Sequence, residues 1–336
     1  MLETVMGGDR PHILFEAGKM SSFGQIGRRT NFRSSAITDA IMKAVAAMQR
    51  GGKPHNGRTA LPDGTAVYYQ GVPIFGPGSE VYGAQVWLGL RDDVVTAPRN
   101  VEGYLFDLDT GLTTHGPGVD ENILSIESVD TTRPSHDRIF PFYDNFPRLN
   151  DLGLYIKDIE NGLREPTPFQ AEISLTDGRG IPRNIHVSQV NRCNARGKSE
   201  LRGLLHEVTD VSPHTTNYGL AMAKSLAARD DPGIGRALIE LTTGIILDWI
   251  NPPQGPLSPW AREIALFNNR GQQQAAALRQ RVLTDFSLKY VEKPTQIRFQ
   301  TSAEGEWHEV IVGYEHHGQN QGFMTVREAR NPLKHL

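Results

Sequence analysis

Leu105-Phe-Asp-Leu-Asp-Thr-Gly-Leu112 and Leu238-Ile-Glu-Leu-Thr-Thr-Gly-Ile245 are one eight-residue pattern occurring twice: four positions are identical and three of the others exchange like for like. Each copy reads as a strand running into a glycine-containing turn, with a second strand beyond it. Working outward, a glycine opens a short apolar strand three times, at Gly83-Ala-Gln-Val-Trp-Leu88, Gly203-Leu-Leu-His-Glu-Val208 and Gly322-Phe-Met-Thr-Val326. These glycines lie 120 and 119 residues apart (203 − 83 and 322 − 203). The period implies three modules of near-equal length, too long for solenoid repeats of roughly 20–50 residues.

The order of elements recurs within each module: a helix in the middle, then an antiparallel hairpin and a closing strand. Ile37, Ile41, Ala44, Val45 and Met48 share one helical face, with Ser34 or Ser35 placed to cap it and Gly51-Gly52 to end it. Leu149, Leu152, Ile156, Ile159 and Leu163 make the second such stripe, and Ala275, Leu278, Val282 and Phe286 the third, on a helix from about Gln272 to Phe286. Phe169, Ala171, Ile173 and Leu175 alternate with Gln170, Glu172, Ser174 and Thr176, which predicts one packed and one wet face. Asp177-Gly-Arg-Gly180 then turns the chain back toward Ile185 and Val187. The expected fold class is α+β: curved antiparallel sheets with helices on one face, in modules at 1–98, 99–213 and 233–336. Thr96–Asn100 is a short linker, and 214–232 is a linker helix that either packs on its own module or joins two copies as a homodimer.

Bulk properties remove several classes. At 336 residues the chain exceeds what one core usually serves. Its formal charge of −3 includes no basic stripe, which argues against a nucleic-acid binder. No apolar run approaches the roughly 18 residues that span a bilayer, and the first residues lack a signal-peptide pattern. The single Cys193 excludes an internal disulfide and a multi-cysteine zinc site. A cytoplasmic location is expected.

The element order and short pieces such as Tyr82-Gly-Ala-Gln-Val-Trp-Leu88 resemble the PAS fold and the related GAF fold. The chain as a whole is similar to an actinobacterial family of tandem PAS/GAF-like sensory modules without an effector domain. That resemblance implies signal sensing, with a small molecule or a signalling protein acting on the sheet and helix face. Whether the first module is PAS-like or GAF-like stays open.

No catalytic, cofactor or metal residue is expected. Asn191-Arg-Cys-Asn194 is superficially similar to the cysteine run of flavin-binding light sensors, but Cys193 is expected in a loop between the last two strands of its module. No helical stripe carries a histidine for haem, and His136 reads as a solvated loop residue. His308 belongs to an alternating strand, and Glu315-His-His-Gly318 reads as a turn. Phosphate-cradling loops and nucleophile elbows are absent. The candidate ligand site is Trp249, Trp260 and Phe267, flanking the Pro-rich run Ile250–Pro259 at the mouth of the third module's pocket. Those rings either line a cavity or fill it. Two other classes stay open. One is an interaction scaffold with filled pockets. The other is a cofactor-free enzyme, which needs a His–Asp or Asp–Arg pair in a cavity, and His186 and Asp177 are weakly placed for it.

Overall fold

The computed structural model describes residues 1–3, 11–26, 34–108, 113–127, 142–160, 162, 168–193, 197, 199–217, 221, 225, 234–240, 245–255, 295–300, 307–316 and 321–328. They divide into two compact units, one of Met1–Phe106, Thr113–Thr131 and Arg164–His214, the other of Asp107–Leu112, Thr132–Leu163 and Thr215–Leu336. Most of the described structure is antiparallel sheet, with few helices.

The first unit opens with β1 (Leu2–Glu3), β2 (His12–Glu16) and β3 (Lys19–Gln25), then α1 (Ser35–Gly51), β4 (His55–Ala60), β5 (Ala66–Phe75) and β6 (Val81–Gly89). These strands form one sheet in the order β3-β2-β1-β6-β5-β4. Ile37, Ile41, Ala44, Val45 and Met48 of α1 are all buried, against Leu2, Ile13, Val67, Tyr69 and Ala84. Each large aliphatic so buried contributes about 1.5–3 kcal/mol. Gly52 ends the helix in the left-handed region at φ 59°, donating its N–H to the Met48 carbonyl at 2.7 Å.

A second sheet follows from β7 (Val101–Asp107), β8 (Thr113–His115), β10 (Phe169–Thr176), β11 (Pro182–Cys193) and β12 (Ser199–Glu207), ordered β8-β7-β12-β11-β10; β9 (Tyr143–Asn145) and α2 (Leu149–Glu160) belong to the other unit. The second unit's sheet is β14-β13-β17-β16-β15, from β13 (Gly235–Glu240), β14 (Ile245–Asn251), β15 (Thr295–Gln300), β16 (Trp307–His316) and β17 (Gln321–Glu328). Counted along each run, both sheets have the order second-first-fifth-fourth-third. The first sheet has the same run, with the two-residue β1 inserted between β2 and β6.

The described residues of the two eight-residue copies occupy equivalent places: Leu105–Asp107 end β7 and Leu238–Glu240 end β13. Gly203 and Gly322 lie in the strand bordering the first strand of their run, and Gly83 lies in the strand bordering the inserted β1. A side chain on Gly83 would lie 2.6 Å from the Leu2 carbonyl, and one on Gly203 would enter the Tyr104 ring.

Several expectations change. The second face of β10 is covered rather than wet: Ser174 is 2% exposed, and Gln170 Nε2 donates to the Ser21 carbonyl at 3.1 Å. The cause is the first sheet, which stacks on this face, with Leu14, Ile74, Tyr82, Val101, Val190 and Leu204 forming a shared core. Cys193 is the exposed last residue of β11 rather than a loop residue, because pairing continues as far as Cys193 opposite Ser199. Glu315 and His316 pair with Phe323 and Gly322, so the strand runs through them, while His317 and Gly318 lie outside the described residues. In α2, Leu149, Ile156 and Ile159 are buried and Leu152 is half-buried. Leu163, the 272–286 helix and most of 214–232 lie outside the described residues.

Candidate functional site

Strand alternation divides the second sheet's side chains. Val101, Val190 and Leu204 point to the first sheet, so their neighbours Glu102, Tyr104, Gln189 and Gly203 take the opposite face. Tyr104 lies across Gly203, where a Cβ would stand 2.4 Å from the ring. Its hydroxyl donates to Gln189 Oε1. In register beside Tyr104 stands His115 of β8. The His115 Nδ1 is 2.6 Å from Asp120 Oδ1, a pair whose side chains are only 1% and 6% exposed.

Asp120 is supplied by a single π turn, Val119–Ile123, closed by the Leu124 N–H on the Val119 carbonyl at 3.0 Å. This segment is anchored from behind. Asp177 accepts the Arg179 and Ile181 N–H groups on Oδ1 and Ser125 and Arg183 on Oδ2, each at 2.8–2.9 Å. Burial raises the Asp177 carboxyl, but these hydrogen bonds outweigh it and hold it below its ordinary value. Glu102 is raised by burial and accepts Asn122 Nδ2 at 2.7 Å.

Two polar atoms here are buried with no hydrogen-bond partner, Gln189 Nε2 and His115 Nε2. With Oε1 taken by Tyr104, the Gln189 amide keeps two unused donors. With the Asp120 carboxylate at Nδ1, that nitrogen carries a proton and Nε2 is the nitrogen left facing the site. The face therefore offers the Gln189 amide donors and the His115 Nε2 as hydrogen-bonding groups. No group of three or more His, Cys, Asp or Glu with metal-holding geometry occurs among the described residues.

A separate cavity of about 1080 Å³ opens in the same unit, with Phe15, Val72, Gln85, Trp87, Arg99 and Asp210 among its walls. Gln85 exchanges hydrogen bonds with the Arg99 backbone at 2.8 and 2.9 Å, which pins the segment read as a short linker. The Arg99 guanidinium lies 4.6 Å from the Phe15 ring centroid and grips both oxygens of Asp210, holding that carboxyl below its ordinary value. Leu90, Val94 and Val95 stand exposed, and Val95 is one of the lining residues.

Of the residues expected at a ligand site, Trp249 is half-buried on β14 opposite the fully buried Ala237, and its shielded indole Nε1 has no partner. Trp260 and Phe267 lie outside the described residues. Tyr104, His115, Asp120 and Gln189 escaped the sequence reading, because only strand order brings them together. No helix among the described residues is long and apolar enough to cross a membrane.

Residues 1–97 match the family model described as "Rv3651-like, N-terminal". A crystal structure of an uncharacterized protein from Mycobacterium tuberculosis is similar over 98% of this chain and 93% of its own, at 18% identity and a TM-score of 0.61. An RNA-binding light-oxygen-voltage receptor covers 68% of this chain and 95% of its own, at 9% identity and a TM-score of 0.24. The periplasmic sensory domain of the Campylobacter jejuni chemoreceptor Tlp1 covers 71% and 75%, at 11% identity and a TM-score of 0.22. Likeness at those two scores carries no weight for fold or function. No curated protein matches the chain. The N-terminal family and the mycobacterial structure support an actinobacterial protein, and the latter shares this chain's fold along nearly its full length.

Proposed function

We propose that the chain is a non-catalytic sensory protein of three PAS/GAF-like modules, at 1–98, 99–213 and 233–336, with 214–232 as a linker helix. In this reading it acts in the cytoplasm, holds a small uncharged ligand on the second sheet and signals to a separate effector. The observation that carries it is the pair of unsatisfied groups beside Tyr104, Gln189 Nε2 and His115 Nε2. An unmade hydrogen bond at a buried polar atom costs about 1–3 kcal/mol, so two on one face favour a partner from outside the chain. The shared strand order of the second and third sheets supports the modular part, and Trp249 Nε1 is the corresponding unsatisfied group in the third.

Native mass spectrometry of the purified chain tests it. A stoichiometric small-molecule adduct on the wild type that is lost from a folded Gln189→Leu variant supports the reading. A bare chain mass in both overturns it.

A second reading, an interaction scaffold, is favoured by the exposed Leu90, Val94 and Val95, the last of which lines the large cavity. It predicts a bare mass together with saturable binding of a protein partner that Val94→Asp abolishes. The enzyme reading, which needs a His–Asp pair in a cavity, would use His115 and Asp120, a buried pair that is not among the walls of the large cavity. A turnover abolished by His115→Asn would favour it over a sensor.

A further inference from the structure

His186 of β11 stands directly opposite His206 of β12, and Glu172 of β10 stands opposite His186. The row faces the first sheet, where Phe15 of β2 meets the His206 ring edge-on, with centroids 4.6 Å apart and planes at 86°. His206 is completely buried and neither ring nitrogen has a hydrogen-bond partner; His186 is 4% exposed and its Nδ1 has none. A buried polar group normally finds a partner. Two unsatisfied imidazoles side by side in a sheet-to-sheet contact are there at a cost.

The surroundings oppose a proton on either ring. Arg99 adds positive charge around His206, as does the α-amino group of Met1 once protonated (burial lowers it to about 5), and the two histidines repel each other once charged. The opposing carboxylates are engaged elsewhere. Asp210 is gripped by Arg99, and Glu172 accepts Asn184 Nδ2 at 3.1 Å and Ser212 Oγ at 2.6 Å. Burial foremost, then these charges, lower His206 to about 3, and burial against the pull of Glu172 lowers His186 to about 4.

We propose that His186 and His206 form an acid-released latch between the first and second sheets, closed while both imidazoles are neutral and opened when they take up protons. The sign follows from linkage. In the open state each ring regains its ordinary value near 6.5, above its value in the closed state, so the closed contact is at full strength above pH 6.5 and weakens below it. Over the first pH unit below 6.5 the open-to-closed ratio rises about fivefold per histidine, about thirtyfold for the pair, and the slope approaches tenfold per histidine only at lower pH. Opening would bare the apolar face of Leu14, Tyr82 and Leu204, which the contact now covers.

Hydrogen exchange of the full chain at pH 7.5, 6.5 and 5.5, corrected for the intrinsic pH dependence of exchange, tests the latch. Peptides covering 12–16 and 201–207 should lose protection about thirtyfold between pH 6.5 and 5.5, while the amides of α1 keep theirs. In His206→Gln, and in His206→Leu if it folds, that loss should fall to about fivefold, with His186→Gln as the reciprocal variant. Protection that does not change with pH, an unchanged slope in every variant, or simultaneous loss from α1 would overturn the proposal.

Discussion

Two glycines let backbone segments approach more closely than side chains would permit. A Cβ on Gly103 would sit 2.6 Å from the Phe75 carbonyl and 2.8 Å from the Gly76 Cα, and one on Gly116 would sit 2.6 Å from the Gly103 carbonyl. Backbone cannot yield as a flexible side chain does. Gly103→Ala should therefore lower the unfolding free energy by about 1–3 kcal/mol in urea denaturation. Gly51→Ala is the contrasting case: nothing lies within 4 Å of the added methyl, and it should gain about 0.5 kcal/mol from a stiffer unfolded chain. Asp177 is the charged counterpart, with its side chain at 0% exposure and Arg183 at 13%. Asp177→Ala leaves a mostly buried guanidinium short of a partner and should cost about 3 kcal/mol at neutral pH. Because Asp177 is held below its ordinary value when folded, the difference between variant and wild type should be complete above the ordinary carboxylate range and shrink as pH falls through the folded value. A difference that grows on acidification would contradict this origin.

At the scale of elements, what a sequence can reveal depends on whether the burying surface is local. α1 is fully legible, because a 3.6-residue period alone selects Ile37, Ile41, Ala44, Val45 and Met48, and all five are buried. Ile41→Ala should cost about 2–5 kcal/mol, and Asp39→Ala on the exposed face less than about 0.5, both read from denaturation midpoints. The hairpin β10–β11 is legible in register but not in environment. Its alternation shows two faces, and nothing nearby in the chain reveals that the polar one is covered by strands more than a hundred residues earlier. The same limit hid the candidate site. Tyr104 and Gln189 are 85 residues apart and meet because β12 lies between β7 and β11. A lone glutamine in an alternating strand carries no signal of that meeting. Cys193 was misplaced for a simpler reason, since hairpin pairing extends to residue 193 through a sequence, Asn-Arg-Cys-Asn, whose composition suits a loop.

For the whole molecule, the proposed reading makes the chain a receptor whose occupancy is set from outside, and it rests on the repeated strand order and the unsatisfied pair on the second sheet. Occupancy should be visible as stability: a ligand present at a hundred times its dissociation constant adds about 2.7 kcal/mol to the wild type. Tyr104→Phe, which frees the Gln189 amide to rotate, should lose most of that increment while unfolding near the wild-type midpoint without ligand. The electron density between Gln189 and His115 in a high-resolution crystal structure of the chain as purified tests the central claim most directly. The account predicts organic density, with an acceptor atom about 3 Å from Gln189 Nε2 and a hydrogen-bonding atom at similar range from His115 Nε2. Ordered water at both nitrogens, or a side chain of the chain itself closing on them, would contradict it.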